Sequence, residues 1–576
     1  MNESKRRDIA LLILIVLAVY FPAITGNINS VDDGHIIRVY AESGQRTLQK
    51  ILLPGDQFYF RPLIELTYYL DNFFWDLDPR IMHLENILLH LLNVVMVYLV
   101  AVRVSVLVGN LPYLPLTSAL LFAVHPVNTE AVSWIAGRTD PFAAFFVLVS
   151  MLFLLKFIQL GRTRYFAVSF AAMLLAFLAK ETSIMLLPVS AGFIFLLRPE
   201  SLNNAENCRK KRIVAVSYLL LCTVLSGYVA IRLFLKPAGS ENAFTVLHQG
   251  SFDVALMLKD LLATSGFYLK KFFFPFPLNF AIDTVSPWYV IPGSAALLAA
   301  AYFFRSRTIL MLLLGSGLAF MFPAIVVRLA ALNWTPVAER YLYIPAAFFS
   351  MGLAGIVIRK AIIAGRETVL FAFVAGVVIF FAGATFTRNF IWQDNLSLYR
   401  DAVAKSPEFG DIHNELGTAL LKKGDGKAAR KHFEIAMKRS SRPVIRELAE
   451  LNILSCDMEG KTLASKKEIM QRYVESRDTA QPELVRLLRN TSHEILRTES
   501  DAAARAVLMR EIISLNDRIF KMVRDPHCLY SNGQLMLALG NKSAALGYFH
   551  EAIATATPDV YYFNAAKKLV NNLEKQ

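Results

Sequence analysis

Charge is scarce in this 576-residue chain, with 18% of its residues charged against 55% hydrophobic. That ratio argues against a single soluble domain, because a chain of this length folded in water would lack the polar surface to cover its apolar mass. Much of it is expected to lie in lipid. Cysteine is scarce too: Cys208, Cys222, Cys456 and Cys528 have no metal-ligand spacing, which argues against a structural zinc site and leaves a Cys456–Cys528 disulfide open. The first apolar run, IALLILIVLAVYFPAI after SKRRD, lacks a small-x-small cleavage site and therefore reads as a retained helix rather than a cleaved signal. A formal charge of +14 could suggest a nucleic-acid partner, but the basic residues sit in short loops between apolar runs. There they orient helices against a membrane, so no nucleic-acid partner is expected.

What the chain has in abundance is apolar runs near the length needed to cross ~30 Å of hydrocarbon, recurring from Ile9 to about Phe386. The expected fold is all-α: a polytopic membrane bundle of about eleven crossings over residues 1–388, then an extracytoplasmic helical domain over residues 389–576. Crossings are expected near 9–25, 86–108, 113–125, 141–159, 165–180, 183–198, 212–235, 289–304, 308–328, 342–358 and 368–387. Placing Lys5, Arg6 and Arg7 inside fixes the parity. The inside loops then receive Arg103, Lys156, Arg162, Arg164, Arg198, the run Arg209–Arg212, Arg305, Arg307, Arg359, Lys360 and Arg366, in agreement along the chain. Two long outside loops, 26–85 and 236–288, contain amphipathic stretches expected to lie in the interface plane. A further pair of crossings is the alternative, and would place charges in lipid.

The C-terminal part carries a helix-pair signature of tetratricopeptide-repeat (TPR) type: Leu416, Gly417, Gly424, Ala429, Phe433 and Ala436. Small residues let the two helices approach while Phe433 fills the groove. The pattern returns at Gly533, Gly540, Ala545, Phe549 and Ala552, and Tyr399, Ala402 and Pro407 match a preceding half-unit. A short solenoid with a concave face is expected, suited to binding peptide or protein.

Ionisable groups at membrane depth are expensive, so charged positions at the outer helix ends are the candidate functional residues. VDDGH supplies Asp32, Asp33 and His35; its adjacent carboxylates can hold a divalent cation or take a proton from an attacking hydroxyl, although an Asp-Asp-Gly turn is the plain alternative. FRPLIELTYYL and MHLENILLHLLN supply Arg61, Glu65, His83, Glu85, Asn86 and His90; His83, Asn86 and His90 share a helix face that could equally serve interhelical hydrogen bonding. HPVNTEAVSWIAGRTD supplies His125, Asn128, Glu130, Trp134, Arg138 and Asp140. Lys180 and Glu181 sit in a turn where a local ion pair is the simpler reading, and Glu339 and Arg340 open a late helix. All share the outer side under the parity above. Arg138, Lys180 and Arg340 could bind a phosphate at the lipid boundary, with neighbouring carboxylates as general base. An enzyme using a lipid-linked phosphate donor and an ion-coupled transporter both fit that composition.

HPVNTEAVSWIAGRTD, AKETS, AERYLYIP and W-x-D before the repeat units, with FRPLIELTYYL leading to HLENILLHLLN, closely resemble the transmembrane and TPR-containing O-mannosyltransferase family, over nearly the whole chain and in the same order. The resemblance implies a glycosyltransferase of the GT-C superfamily. It implies transfer of a hexose such as mannose from a polyprenyl-phosphate donor to a hydroxyl of a protein or glycan acceptor on the periplasmic or lumenal face. It implies Asp32 or Asp33 as catalytic base and assigns Arg138, Lys180 and Arg340 to basic positions of the family's loops. His35, Arg61, His83, His125, Glu130, Asp140, Glu181 and Glu339 complete the expected donor site, and any metal would sit on Asp32 and Asp33. The few weak repeats, where long arrays are usual, suggest a bacterial homologue in the inner membrane, with its N-terminus cytoplasmic. In an endoplasmic reticulum setting the C-terminus would be lumenal and the sequons at Asn333, Asn395, Asn490 and Asn541 would matter. A transporter or lipid-carrier flippase would favour mid-helix Gly/Pro breaks, and a non-catalytic membrane-anchored scaffold would leave the polar outer loops unexplained.

Overall fold

The computed structural model describes residues 3–29, 32–37, 39–40, 47–52, 60–196, 216, 254–306, 308–329, 335–475, 482–556, 560 and 562–574. The expected crossing at 212–235 apart from residue 216, together with Arg198, the run Arg209–Arg212, Cys208, Cys222, Arg307 and Asn333, lies outside these residues. Every regular element described is helical, and one isolated bridge joins Ile282 to Val337. The chain is an all-α, multi-pass membrane protein.

By contact it divides into two compact units, Met1–Leu416 and Gly417–Gln576. In the first unit the helices are α1 Glu3–Tyr20, α2 Asp33–Ile37, α3 Leu48–Leu52, α4 Pro62–Trp75, α5 Pro79–Leu107, α6 Leu114–Ala123, α7 Thr129–Ser133, α8 Thr139–Leu160, α9 Thr163–Ala179 and α10 Leu186–Leu196. They continue with α11 Val254–Phe273, α12 Val290–Ser306, α13 Ile309–Leu329, α14 Tyr343–Ile363, α15 Glu367–Ile391 and α16 Asn395–Lys405, and α17 Gly410–Lys422 runs across the division.

Among the described residues six helical segments are long and apolar enough to cross a membrane: Glu3–Thr25, Pro79–Leu107, Ala136–Leu160, Ile309–Leu329, Glu339–Ile363 and Glu367–Ile391. The crossings expected at 113–125, 165–180 and 183–198 are shorter apolar helices, α6, α9 and α10. The second crossing starts earlier than its apolar run, at Pro79, because Asp78 caps it by accepting a hydrogen bond from the Arg80 amide at 2.9 Å. His83 therefore lies inside α5 together with Asn86 and His90, on the one helix face expected from their spacing. The stretch read as amphipathic is helix α4: Ile64, Tyr68 and Asp71 are buried while Phe73, Phe74 and Trp75 are exposed. It ends where Asp76 and Leu77 adopt positive φ. One continuous hydrophobic cluster joins α1, α5, α6, α8, α13 and α14.

The second unit holds α18 Gly426–Arg439, α19 Pro443–Met458, α20 Leu463–Glu475, α21 Pro482–Thr498, α22 Ala502–Val523, α23 Pro526–Ala538, α24 Lys542–Thr555 and α25 Phe563–Glu574. Two close approaches are built alike. Gly417 faces the fully buried Phe433 of α18, and Gly533 of α23 faces the fully buried Phe549 of α24; a Cβ at either glycine would strike the phenyl ring. The disulfide left open by the sequence is not formed. Cys456 and Cys528 are free thiols, with Cys528 buried on α23, its sulfur 3.9 Å from the Arg489 guanidinium, and Cys456 half-buried on α19.

Candidate functional site

The segment from His125 to Pro141 is almost wholly buried although it is rich in polar side chains, and each turn of it is tied to a neighbouring helix. His125 Nε2 lies 2.9 Å from the Phe272 carbonyl, so this nitrogen carries the proton, and the ring stacks on Phe272 with centroids 5.0 Å apart. Asn128 donates to the Phe122 carbonyl at 2.8 Å, and Thr385 of α15 donates to the Val124 carbonyl at 2.8 Å. The polar face of α5 supports the same segment. Asn86 donates to the Trp134 carbonyl at 2.9 Å, His90 bridges the Ala123 carbonyl and the Tyr343 hydroxyl, and Asn93 donates to the Pro141 carbonyl at 2.8 Å. Thus Asn86 and His90 are used for interhelical hydrogen bonding. His83, on the same face, is buried under Gly26, where a Cβ would lie 2.8 Å from Nε2; neither ring nitrogen has a well-formed hydrogen bond.

Asp33 joins this segment to the loop that follows α1. Asp33 opens α2 and is 2% exposed, with Oδ2 accepting from the Asn29 amide at 2.9 Å and Oδ1 from the Ala136 amide at 3.0 Å. Burial pushes its carboxyl up to about 7, against the opposing pull of those two amides. Asp32 is exposed. Asn29 in turn accepts from the Tyr399 hydroxyl of α16 at 3.1 Å. His35 lies in α2, one turn from the pair.

The expected cations and carboxylates are held in ion pairs, some with one another and some with residues that the sequence did not mark. Arg138 is 3% exposed; its Nη1 sits 2.5 Å from Asp71 and 3.2 Å from the Thr67 hydroxyl, its Nη2 lies 3.5 Å from Glu85, and the guanidinium covers the Tyr68 ring. Lys180 binds Asp140 at 2.6 Å, and burial draws its ammonium below the ordinary value although Asp140 opposes this. Arg61 makes a two-point contact with Glu181, at 3.0 and 2.7 Å. Arg340 pairs with Glu130, whose Oε2 also accepts the Glu339 and Arg340 amides at 3.0 and 3.2 Å. Glu339 accepts from Lys271 at 2.5 Å and from the Asn279 amide at 2.9 Å. Trp134 stacks near Trp392 and lies under the Arg340 guanidinium.

No protein-family model matches the chain. Over 441 residues it is 26% identical to the human protein O-mannosyl-transferase TMTC4, an alignment covering 65% of this chain and 57% of that protein. It is 22% identical over 403 residues to the protein O-mannosyl-transferase F38B6.6 of Caenorhabditis elegans, covering 66% and 53%. A 105-residue stretch is 41% identical to human TMTC1, covering 18% of this chain and 11% of that protein. The chain is thus similar to the TMTC protein O-mannosyl-transferases. It spans about half the length of the curated relatives it matches.

In this chain the clusters read separately from the sequence form one connected set of loops. Asp33 ties 26–37 to 125–141, Glu130 ties 125–141 to 338–342, and Glu339 ties that turn to 271–279. Sequence reasoning missed Asp71, Thr67 and Lys271. The spacing of Thr67 and Asp71, one helical turn apart on the buried face of an amphipathic helix, was the available signal for the first two. Nothing local marks Lys271, whose partner Glu339 is 68 positions away. Among the described residues no group of three or more His, Cys, Asp or Glu side chains is placed to hold a metal.

Proposed function

We propose that the chain is a membrane glycosyltransferase that moves a hexose such as mannose from a polyprenyl-phosphate donor to a hydroxyl of a protein or glycan, on the side of the membrane opposite Met1. The observation that carries this reading is the acidic turn, an exposed Asp32 beside a buried Asp33 locked into the polar loop. The two carboxylates differ in what they can do. Asp33 has both oxygens committed to backbone amides, so its task is to hold the 125–141 loop against the first outer loop. Asp32, open to solvent, is the group that can reach a substrate. As the acceptor oxygen attacks the anomeric carbon, Asp32 takes the hydroxyl proton, the bond from that carbon to the phosphate oxygen breaks, and the lipid phosphate leaves with the electron pair. The buried pairs Arg138–Asp71, Lys180–Asp140 and Arg340–Glu130 keep the surrounding loops in register for that step.

A cation bridging the acidic pair fits less well, because the Asp33 lone pairs facing the loop already accept amide hydrogens. The C-terminal helix pairs are assigned to acceptor recruitment as TPR-type units, since their motif residues are packing residues.

The test is transfer from a polyprenyl-phosphate hexose by the purified full chain. Asp32→Asn is expected to lower turnover by ~10²-fold or more with donor binding little changed. Asp33→Asn is expected to act through the loop and to change KM together with kcat. Near-wild-type transfer by a folded Asp32→Asn protein would refute Asp32 as the base. Alkaline phosphatase fused after Gln576 is expected to be active; an inactive fusion would place the whole polar cluster on the wrong side.

A further inference from the structure

We propose that the phosphate of the polyprenyl carrier is held by Arg388 and Lys405 in a cleft at the end of α15, and not by Arg138, Lys180 or Arg340; this rests on the donor class proposed above. The three cations suggested by the sequence are each neutralised by a buried carboxylate, Asp71, Asp140 and Glu130. Displacing such a partner for a ligand would leave a buried carboxylate uncompensated, which is strongly unfavourable. None of the three lines the cleft.

The cleft has a volume of about 550 Å³ and walls of Phe274, Phe276, Leu278, Ala384 and Ile391, with Arg388 and Lys405 as its charged lining and no carboxylate among the lining residues. Asp401 accepts from both Arg388 and Lys405, so one carboxylate faces two cations and the pair keeps an excess positive charge. Lys270 adds to it: its ammonium donates to the Phe276 carbonyl, and among the described residues no carboxylate pairs with it. An anion is thus the complementary ligand at one end.

The other end is apolar and faces outward. Glu367–Ile391 is long and apolar enough to cross a membrane, yet only 11% of its most apolar window is buried within the protein. Phe274, Phe380, Phe386 and Phe390 are exposed around it. A cleft that begins on an apolar, little-buried helix and ends on two cations, Arg388 near that helix's C-terminus and Lys405 at the end of α16, suits a molecule with a long hydrocarbon and one phosphate. An adjoining cavity of about 350 Å³, sharing Pro277 and Lys405, runs to Lys271, the partner of Glu339. It contains Asp283 and Glu408, so it is the poorer place for an anion and the better one for sugar hydroxyls.

The experiment measures binding of sugar-free polyprenyl phosphate to the full chain in nanodiscs, with phosphatidylglycerol and inorganic phosphate as competitors. Arg388 is itself a buried ion-pair member, so the variants are Lys405→Ala with Lys270→Ala, and Thr387→Trp, which fills the cleft without touching a charge. Each is expected to raise Kd by about tenfold, the scale of losing a charge-assisted hydrogen bond or the contact volume it serves. Inorganic phosphate is expected not to compete at equal concentration. Wild-type affinity in both variants, with transfer intact, would overturn this site while leaving the proposed activity standing. Equal displacement by phosphatidylglycerol would reduce it to a general anionic-lipid contact and overturn the assignment. A wild-type protein that neither binds polyprenyl phosphate nor transfers sugar would overturn both readings.

Discussion

The two units use the same interaction, an ion pair, in opposite settings. In Met1–Leu416 the side chains of Arg138–Asp71, Lys180–Asp140 and Lys271–Glu339 are all 3–5% exposed. In Gly417–Gln576, Arg430 pairs with Glu434 and Asp457 at more than 40% exposure, and Arg486 with Glu483 at 32% and 65%. Burying a pair costs the hydration of both ions, and its geometry then becomes hard to change because removing one partner leaves the other stranded. An exposed pair is screened by water and holds little. The first unit therefore spends its charges on fixing loops against each other, and the second relies on apolar packing of helix pairs.

The largest effect that would break this contrast is loss of one buried partner. Arg138→Met leaves Asp71 uncompensated and is expected to destabilise the first unit by about 3–5 kcal/mol, read as a lowered Tm; Arg138→Met with Asp71→Leu is expected to recover much of it without restoring transfer. A single variant as stable as wild type would remove the buried pairs from the account. Next in size, Gly533→Leu drives a side chain into the Phe549 ring and is expected to cost the second unit about 1–3 kcal/mol, detected by earlier proteolysis of residues 417–576, while transfer to a small soluble acceptor in place of the protein continues.

A smaller effect sharpens the role of Asp33. Its carboxyl is raised from 3.8 to about 7 by burial, so its contribution to stability is fully present below about 4 and is lost as pH rises through about 7. Between pH 5 and pH 8 the wild-type Tm is expected to fall by on the order of 2–4 °C more than that of Asp33→Asn. Equal slopes would mean that Asp33 ionises as an ordinary carboxylate. The smallest change is Arg430→Ala, which breaks two exposed pairs and is expected to shift stability by less than about 1 kcal/mol; a larger loss would mean that surface charge holds the second unit together.

The sequence by itself determined the helical, multi-pass character, since an apolar run long enough to cross lipid has few other stable states, and backbone polar groups there must be satisfied within a helix. It also marked His125–Asp140 and the acidic turn, because charge and polarity stand out against apolar surroundings, and it located the Gly417–Phe433 and Gly533–Phe549 approaches through fixed helical spacing. Only the tertiary structure decided what those charges do. Whether Arg138 is free for a ligand or held by Asp71 depends on α4 lying beside the turn at Ala136–Arg138, and whether Asp32 or Asp33 faces solvent depends on the Ala136 amide arriving from 103 positions away. Partners that far apart leave no local pattern. Their pairing is set by how the helices pack, and with it the difference between a residue that holds a loop and one that can meet a substrate.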